Sequence, residues 1–515
     1  MKRSDRAVGR EPEVSRREAS PGLEPAGGPG EAAAPLVTFR DLFLLAGVFL
    51  VSRVILHRVF SVEIDSWMVN QLHHIPPPLL RADLARSVYY LHTQPPLWNL
   101  ILGAILKLGG ENWAYGYLAM SLGLGLVLQS SLFAVMRQLG VGRVPALLVA
   151  CVYMMDPQVI AYENLVGYDS LAASLLTLLT ALFLPAARRG APWGLAAFAA
   201  VASVMVVVRS NFHPLILLPW FGLVALANPS RYRGVVVAAV LAALPCAAVL
   251  AKNKVVFGKA SMSSWLGSQV VYMLQVDPDD PWIRGQVRSG AVSPLVLRKP
   301  LDTLDHYPDV DPGTPPSDAP VLTQARVEGI DNYHHFGYIA ISDQYFRDAK
   351  VLIARRPRLW LRSFAQAAWT YLKSASVDGC FAYHNRDCLA GYVEFIDRWI
   401  LLRTRVGSRE CYPVLALGVV AAMVSGAYLA VRGGRPPSSL DDRRRLLVGF
   451  MLGNILFLAF VALAFDPRET YRHRTYTDPL SLALLVTLVA RLRGSRAGRS
   501  PALPAVGGEG GRQSA

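Results

Sequence analysis

The chain has 515 residues, 53% of them hydrophobic and only 17% charged, with a mean hydropathy of +0.32. Soluble domains carry about 25% charged residues, so this balance excludes an ordinary soluble enzyme and points to a membrane protein. The net charge of +15 does not signal nucleic acid, because the basic residues fall in short clusters between apolar runs, the positive-inside pattern, and not on one basic face.

Residues 1–36 are polar and rich in Pro, Gly, Ala and Glu, and are expected to form a disordered cytoplasmic tail. The first apolar run starts too late for the core of a signal peptide and reads as an uncleaved anchor. Apolar runs then predict membrane helices near 41–60, 114–136, 144–160, 169–187, 193–208, 212–228, 234–251, 412–431, 446–465 and 479–492. This is an all-α polytopic fold with about ten transmembrane helices. The run 97–108 is short and includes Lys107, which suits an interfacial or re-entrant helix better than a crossing. Charge supports that choice. If 97–108 does not cross, Arg137, Arg143, Arg188, Arg189, Arg231, Arg233, Arg432, Arg435, Arg443, Arg444, Arg445, Arg491, Arg493 and Arg496 all fall on the cytoplasmic side, with both termini. Residues 37–492 then form one transmembrane domain and 493–515 a second cytoplasmic tail.

Five segments lie outside: 61–113, 156–168, 209–212, 252–411 and 465–479. Loops as long as the first and fourth are usually functional. The stretch 343–375 mixes apolar, aromatic and basic residues at helical spacing and is expected to lie in the interface as an amphipathic helix. Cys380 and Cys388 share the long outer loop, where a disulfide and two thiols both stay open. No zinc spacing such as C-x-x-C occurs.

The chemistry-bearing residues gather in these outer segments. Glu63 and Asp65 follow the first span. They are either solvated carboxylates or a general base, which must stand within about 3 Å of an acceptor hydroxyl. The Pro95-Pro96 pair starts a helix and would aim His92 and Gln94 at the same cavity. Glu163 and Asp169 come from the second segment. Asp169 either caps the next helix or serves the site, since charge at membrane depth is costly unless useful. Arg468, Arg472 and Arg474 crowd 465–479 beside Glu469, against the rule that outer connections avoid arginine. Arg209, His213, Lys252 and Lys254 add outer cations. Such cations bind head groups non-specifically or recognise a phosphate or pyrophosphate ester, for which Arg offers bidentate geometry. A phosphate-linked sugar needs one base for its acceptor and positive charge where the leaving group departs, and attack opposite the phosphate inverts the anomeric centre. Water-driven glycosidases instead need paired carboxylates.

An acidic residue after the first span, followed by a His/Gln-Pro-Pro-Leu helix start, resembles the GT-C glycosyltransferase superfamily, in particular its aminoarabinose lipid A transferase and protein O-mannosyltransferase branch. Further similarity lies in Tyr168-Asp169-Ser170-Leu171, Arg209-Ser210-Asn211, Lys252-Asn253, Ser263-Ser264-Trp265-Leu266-Gly267, and Glu469 through Arg474 with Asp478-Pro479-Leu480. The resemblance implies an inverting transferase in the bacterial plasma membrane, facing outward. It would move a sugar from a polyprenyl-phosphate carrier to a hydroxyl or similar acceptor on a lipid, glycan or protein. It places the base on Asp65, with Glu63 open as the alternative, and a second carboxylate on Asp169. Some relatives carry Lys where this chain has Gln94, so the phosphate would need another cation, such as Arg209 or Arg474. No cofactor is implied outright, and a divalent metal stays open. A multi-pass transporter or lipid flippase and a surface-polysaccharide ligase are the rival readings.

Overall fold

The computed structural model describes residues 37–188, 191–374, 385–406, 409–431 and 440–497. The tail 1–36 and the pairing of Cys380 lie outside the described residues. Helix α1 (Phe39–Arg58) opens on a capping box: Thr38 Oγ1 accepts from the Asp41 N–H at 3.3 Å, and the Asp41 carboxylate accepts from the Thr38 N–H at 3.0 Å. Short helices α2 (Pro77–Ala82) and α3 (Leu84–Tyr89) follow, then α4 (Leu97–Gly109) and α5 (Trp113–Gln138). As the proline pair predicts, α4 begins directly after Pro96. It does not run straight into α5. Gly110 has φ +54°, and Ile105 of α4 stands 3.5 Å from where a Cβ on Gly116 of α5 would sit. Eleven residues of straight helix would separate them by about 16 Å. The chain therefore turns back, and α4 folds against α5.

Helices α6 (Arg143–Tyr153) and α7 (Pro157–Asn164) replace the single helix expected over 144–160. They are bent by 57°. Pro157 lacks an N–H for a continuing helix, and Asp156 restarts the chain by accepting from the Gln158 N–H at 2.7 Å. Then come α8 (Asp169–Ala187), α9 (Pro192–Val208), α10 (Leu217–Ala227) and α11 (Tyr232–Phe257). The segment 252–411 holds α12 (Leu266–Leu274), α13 (Pro281–Arg288), α14 (Pro320–Thr323), α15 (Gly337–Arg355), α16 (Arg358–Tyr371) and α17 (Asn385–Phe395). It also holds two antiparallel pairs, β1 (Arg326–Val327) with β2 (Ile330–Asp331) and β3 (Thr404–Val406) with β4 (Arg409–Cys411). The chain closes with α18 (Pro413–Val431), α19 (Leu440–Phe465), α20 (Thr470–Arg474) and α21 (Asp478–Ala497). Two expectations are corrected here. The amphipathic stretch 343–375 is two helices, α15 and α16, because Pro357 interrupts it. The last helix also continues past Arg493 to Ala497.

Among the described residues, four stretches are long and apolar enough to cross a membrane: Leu97–Gln138, Asp169–Ala187, Pro229–Phe257 and Asp442–Phe465. The bent pair α6–α7 makes up to five. Shorter apolar helices occupy Pro192–Val208, Pro214–Ala227 and Pro413–Tyr428. Helix α8 is central, packed between α5 and α9, with 78% of its apolar window buried. Helix α11 is peripheral at 22%, and it exposes Val236, Val237, Val240, Leu241 and Leu244. Helix α1 likewise exposes Phe43, Leu44, Val51 and Val54. Continuous apolar faces of this kind suit hydrocarbon and not water. The long outer loop has its own core, with Leu274, Ile283, Tyr307, Tyr338, Tyr345 and Leu352 packed together. Gly267 permits the α12–α15 contact, since a Cβ there would stand 1.8 Å from the Ser342 carbonyl oxygen.

One buried ion pair ties α1 to α7. Arg53 Nε lies 2.7 Å from Glu163 Oε2 and Nη2 lies 2.8 Å from Oε1, with both side chains 3% exposed. Glu163, expected to bind substrate, thus serves as the counter-ion of a buried arginine. Glu163→Gln should cost about 3–5 kcal/mol of stability by leaving a buried, unbalanced guanidinium, and Arg53→Met/Glu163→Gln should recover most of it. Thermal unfolding in detergent checks this; a single variant as stable as the unaltered protein would refute it.

Candidate active site

The start of α8, the end of α9 and helix α20 converge on Asp169, which opens α8 and is 2% exposed. Arg209, just past the end of α9, places Nη1 2.8 Å from Asp169 Oδ1. Arg472 of α20 places Nε 2.9 Å and Nη2 2.8 Å from Oδ2. Tyr476 donates its hydroxyl to Oδ1. Helix capping alone does not account for this carboxylate: it holds together three segments far apart in the chain. The guanidinium carbons of Arg209 and Arg472 lie 4.3 and 5.5 Å from the Tyr168 ring centroid, in cation–π range. Burial pulls on the charge of Arg472, but the Asp169 carboxylate outweighs it and holds the guanidinium charged. On its outward side Arg472 Nη1 meets Glu469 Oε2 at 3.0 Å, and that glutamate is half exposed.

Arg209 Nη2 and Asn211 Nδ2 both lie on His473 Nε2, at 2.9 and 3.2 Å. Both are donors, so Nε2 accepts and the proton sits on Nδ1. Beside them His73 packs edge-on against Tyr168 at 5.8 Å, and Gln94 Nε2 lies 2.6 Å from His73 Nδ1. Gln94 therefore reaches the arginine pair through His73. Burial, and then Arg472 and Arg209, keep His73 well below its ordinary range and neutral.

Asp65 is buried where Glu63 is exposed. The backbone of Asp65 pairs with the strand after α7: its N–H donates to Asn164 O at 2.7 Å and its carbonyl accepts from the Val166 N–H at 3.2 Å. Trp67 and Met68 then pack with Tyr162, Leu165 and Tyr471, the neighbour of Arg472. The Glu63 backbone is instead gripped by Asn385, at 2.9 and 2.8 Å. The loop 61–96 is thereby joined to two of the three segments that supply the Asp169 cluster.

Other expected site residues hold loops in place. His92 Nε2 donates to the His334 carbonyl at 2.9 Å, so its Nδ1 accepts from Ser264 Oγ at 2.7 Å. Lys252 Nζ donates to Leu91 O at 2.7 Å. Ser263 Oγ donates to Thr93 O at 2.5 Å, and Trp265 stacks on His334 with planes 9° apart. Arg474 is 1% exposed and its guanidinium is held by Tyr371 O, Lys373 O, Gln158 Oε1 and Asp478. It is a clamp between α16, α7 and α21, and these contacts commit four of its five N–H donors to the fold. His213 is exposed and caps its own turn through the Leu215 N–H at 3.3 Å. A small cavity lies between α5, α7, α8 and α21, lined by Tyr153, Asp156, Glu163, Asp169, Thr475 and Asp478, with room for about one or two waters. No group of His, Cys, Asp and Glu arranged to hold a metal occurs among the described residues.

Tyr168 and His473 lie inside motifs that the sequence marks, Tyr168-Asp169-Ser170-Leu171 and Glu469 through Arg474, but neither is assigned a role there, and His73 and Tyr476 are not marked at all. For His73 the signal is the His73-His74 pair ahead of Pro76-Pro77-Pro78. Burial, the first cause in each ring, lowers His74 and His334 to about 4 and His92 to about 3, against an ordinary 6.5. A depressed folded-state value means that the unfolded chain takes up the proton first. Their contribution is thus fully present above pH ~6.5 and lost as pH falls from there towards ~4. The unfolding midpoint in detergent should drop over that window, by up to about 1.4 kcal/mol per pH unit for each histidine. A midpoint unchanged from neutral pH down to about 4.5 would contradict the burial of these rings as neutral groups.

No protein-family model, curated protein or solved structure matches the chain, which leaves the geometry around Asp169 and Asp65 to carry the functional reading.

Proposed function

We propose that the chain is an inverting glycosyltransferase of the GT-C type. It moves a sugar from a polyprenyl-phosphate carrier to a hydroxyl or similar acceptor on a lipid, glycan or protein at the outer face of a bacterial plasma membrane. About ten helices would cross the bilayer, including the shorter apolar ones. The observation that carries this reading is the convergence of Arg209 and Arg472 on buried Asp169, next to the loop that bears buried Asp65. Every short motif behind the family resemblance contributes to this cluster or to the loops that frame it.

The lone pairs of Asp169 are taken by Arg209, Arg472 and Tyr476, so it serves as an anchor for two cations. Asp65, buried and held through its backbone to Asn164 and Val166 beside that cluster, is the carboxylate assigned to take the acceptor's proton. Arg472 is the cation best placed for the leaving phosphate, because its outward nitrogen is held by half-exposed Glu469, which an incoming anion can replace. Arg209 supports it from the other side of Tyr168. No metal is needed for this division of charge, and a divalent cation remains compatible with it.

Asp65→Asn should leave folding and donor binding intact and slow transfer by ~10²–10⁴-fold, while Glu63→Gln stays near normal because Glu63 is exposed. Transfer from a purified polyprenyl-phosphate sugar into an extractable acceptor reads this out. Normal turnover in the Asn variant removes Asp65 as the base. Arg472→Ala should cost roughly tenfold or more in turnover, with poor rescue by Lys if the contact is bidentate. Arg474→Ala should act on the unfolding midpoint instead. Equal kinetic losses at both arginines, with stability unchanged, would overturn this assignment.

A transporter or flippase is favoured by one feature, the broken span α6–α7 with Asp156 at its bend and buried Glu163 beyond it. That reading predicts lipid translocation by Asp65→Asn in vesicles at an unchanged rate.

A further inference from the structure

Helix α16 lies across the outer end of α19. Trp360 Nε1 donates to Ala464 O at 3.4 Å and Thr470 Oγ1 donates to Ala367 O at 2.8 Å, while the apolar stretch of α19 ends at Phe465. The helix therefore sits level with the end of a membrane-length span. Its sequence, Arg358-Leu359-Trp360-Leu361-Arg362-Ser363-Phe364, contains no acidic residue. Ser363, Ala367 and Thr370 face inward and are buried. Arg358, Leu361 and Arg362 face outward, Leu361 being 56% exposed. Trp360 and Phe364 pack ring to ring at 5.2 Å along the edge of this face.

The arginines nearby divide into two kinds. Arg355 is tied to Gln286 Oε1 at 2.5 Å and Arg356 to Asp280 Oδ2 at 2.7 Å. Arg358 and Arg362 make no ion pair among the described residues, although they stand one helical turn apart, where like charges repel. Two guanidinia at this spacing beside an exposed leucine, at the level where a span ends, match a phosphate above an acyl chain. The apolar side chain enters the hydrocarbon boundary and the arginine stems reach up to the head group.

We propose that α16 is a docking strip for the phosphate of an anionic membrane lipid, bound between Arg358 and Arg362 with Leu361 in the acyl boundary. The strip is separate from the Asp169 cluster and stands whether or not the chain is a transferase. The probe is the full chain in nanodiscs holding equal amounts of phosphatidylglycerol and phosphatidylcholine, released into the gas phase for native mass spectrometry. Phosphatidylglycerol should be retained in preference to phosphatidylcholine. The preference should fall by about fivefold for each arginine replaced, on the scale of a basic residue at an anionic surface. Arg358→Gln/Arg362→Gln is expected to lose it almost wholly. Arg358→Lys/Arg362→Lys should keep most of it, since the charge remains. Arg284→Gln should change nothing, because Arg284 is exposed on the same loop and paired with Asp279. The double Gln variant replaces two exposed side chains and should unfold at the midpoint of the unaltered protein. Undiminished preference in that variant, equal retention of the two lipids by the unaltered chain, or a loss as large in Arg284→Gln would each overturn the proposal.

Discussion

The structure depends on one unequal ion cluster: a single buried carboxylate, Asp169, faced by two buried guanidinia, Arg209 and Arg472. Each arginine comes from a different outer segment, so the carboxylate fixes the ends of α8, α9 and α20 against one another. Such a cluster is not favourable merely because its charges are opposite, since desolvating ions costs several kcal/mol apiece and only good geometry offsets it. Here the geometry is supplied by contacts from Arg472 Nε and Nη2 to one oxygen, with Arg209 and Tyr476 on the other. One positive charge is left over. Half-exposed Glu469 meets it from outside, and His473 and His73 stay neutral beside it. An excess of buried positive charge with a half-exposed counter-ion is what the proposed phosphate site would require.

The surrounding loops explain how that cluster keeps its shape without a large soluble domain. His92, Thr93, Ser263, Ser264 and Lys252 carry no ion pairs among the described residues; they bind mainly backbone carbonyls of neighbouring loops. A carbonyl can only accept, so the contact with His334 O fixes the proton of His92 on Nε2. His73 and His473, held neutral, stand nearer the two arginines. Charging any one of those rings would add a like charge to a site already short of negative charge.

How much of this was legible in the sequence follows from the range of the forces. Apolar helices were readable because hydrocarbon imposes a local rule on composition; among the described residues four stretches, or up to five with the bent pair over 144–160, are long and apolar enough to cross. The bend at Asp156-Pro157 and the split at Pro357 were legible in principle, since proline breaks helices by local geometry. The turn at Gly110 follows from a contact between Ile105 and Gly116 that no window of hydropathy contains. Charge partners were the least legible. Arg53 with Glu163 and Asp169 with Arg472 are separated by 110 and 303 residues. Sequence alone marked Arg474 and Arg472 equally, as outer arginines two residues apart. Only packing separates Arg474, clamped by two carbonyls, Gln158 and Asp478, from Arg472, which is buried too but meets half-exposed Glu469. Glu63 and Asp65 show the same limit, because burial of one and exposure of the other is decided by Asn164 and Asn385 from later in the chain.

The same separation decides which carboxylate can do which work in the proposed transfer. A base must have a lone pair that can take a proton within reach of the acceptor. Asp169 sits at the centre of the site, yet its oxygens are committed to two arginines and a tyrosine, and protonating it would release both cations at once. That makes it a poor base and a good anchor. Asp65 sits on the adjoining backbone pair, and its position is held by main-chain hydrogen bonds to Asn164 and Val166. Holding the base by its backbone and the cations by a carboxylate separates two demands that one residue could not meet together. In the proposed transfer the acceptor's proton would go to Asp65 and the departing phosphate would meet charge that is already in place and needs no reorganisation.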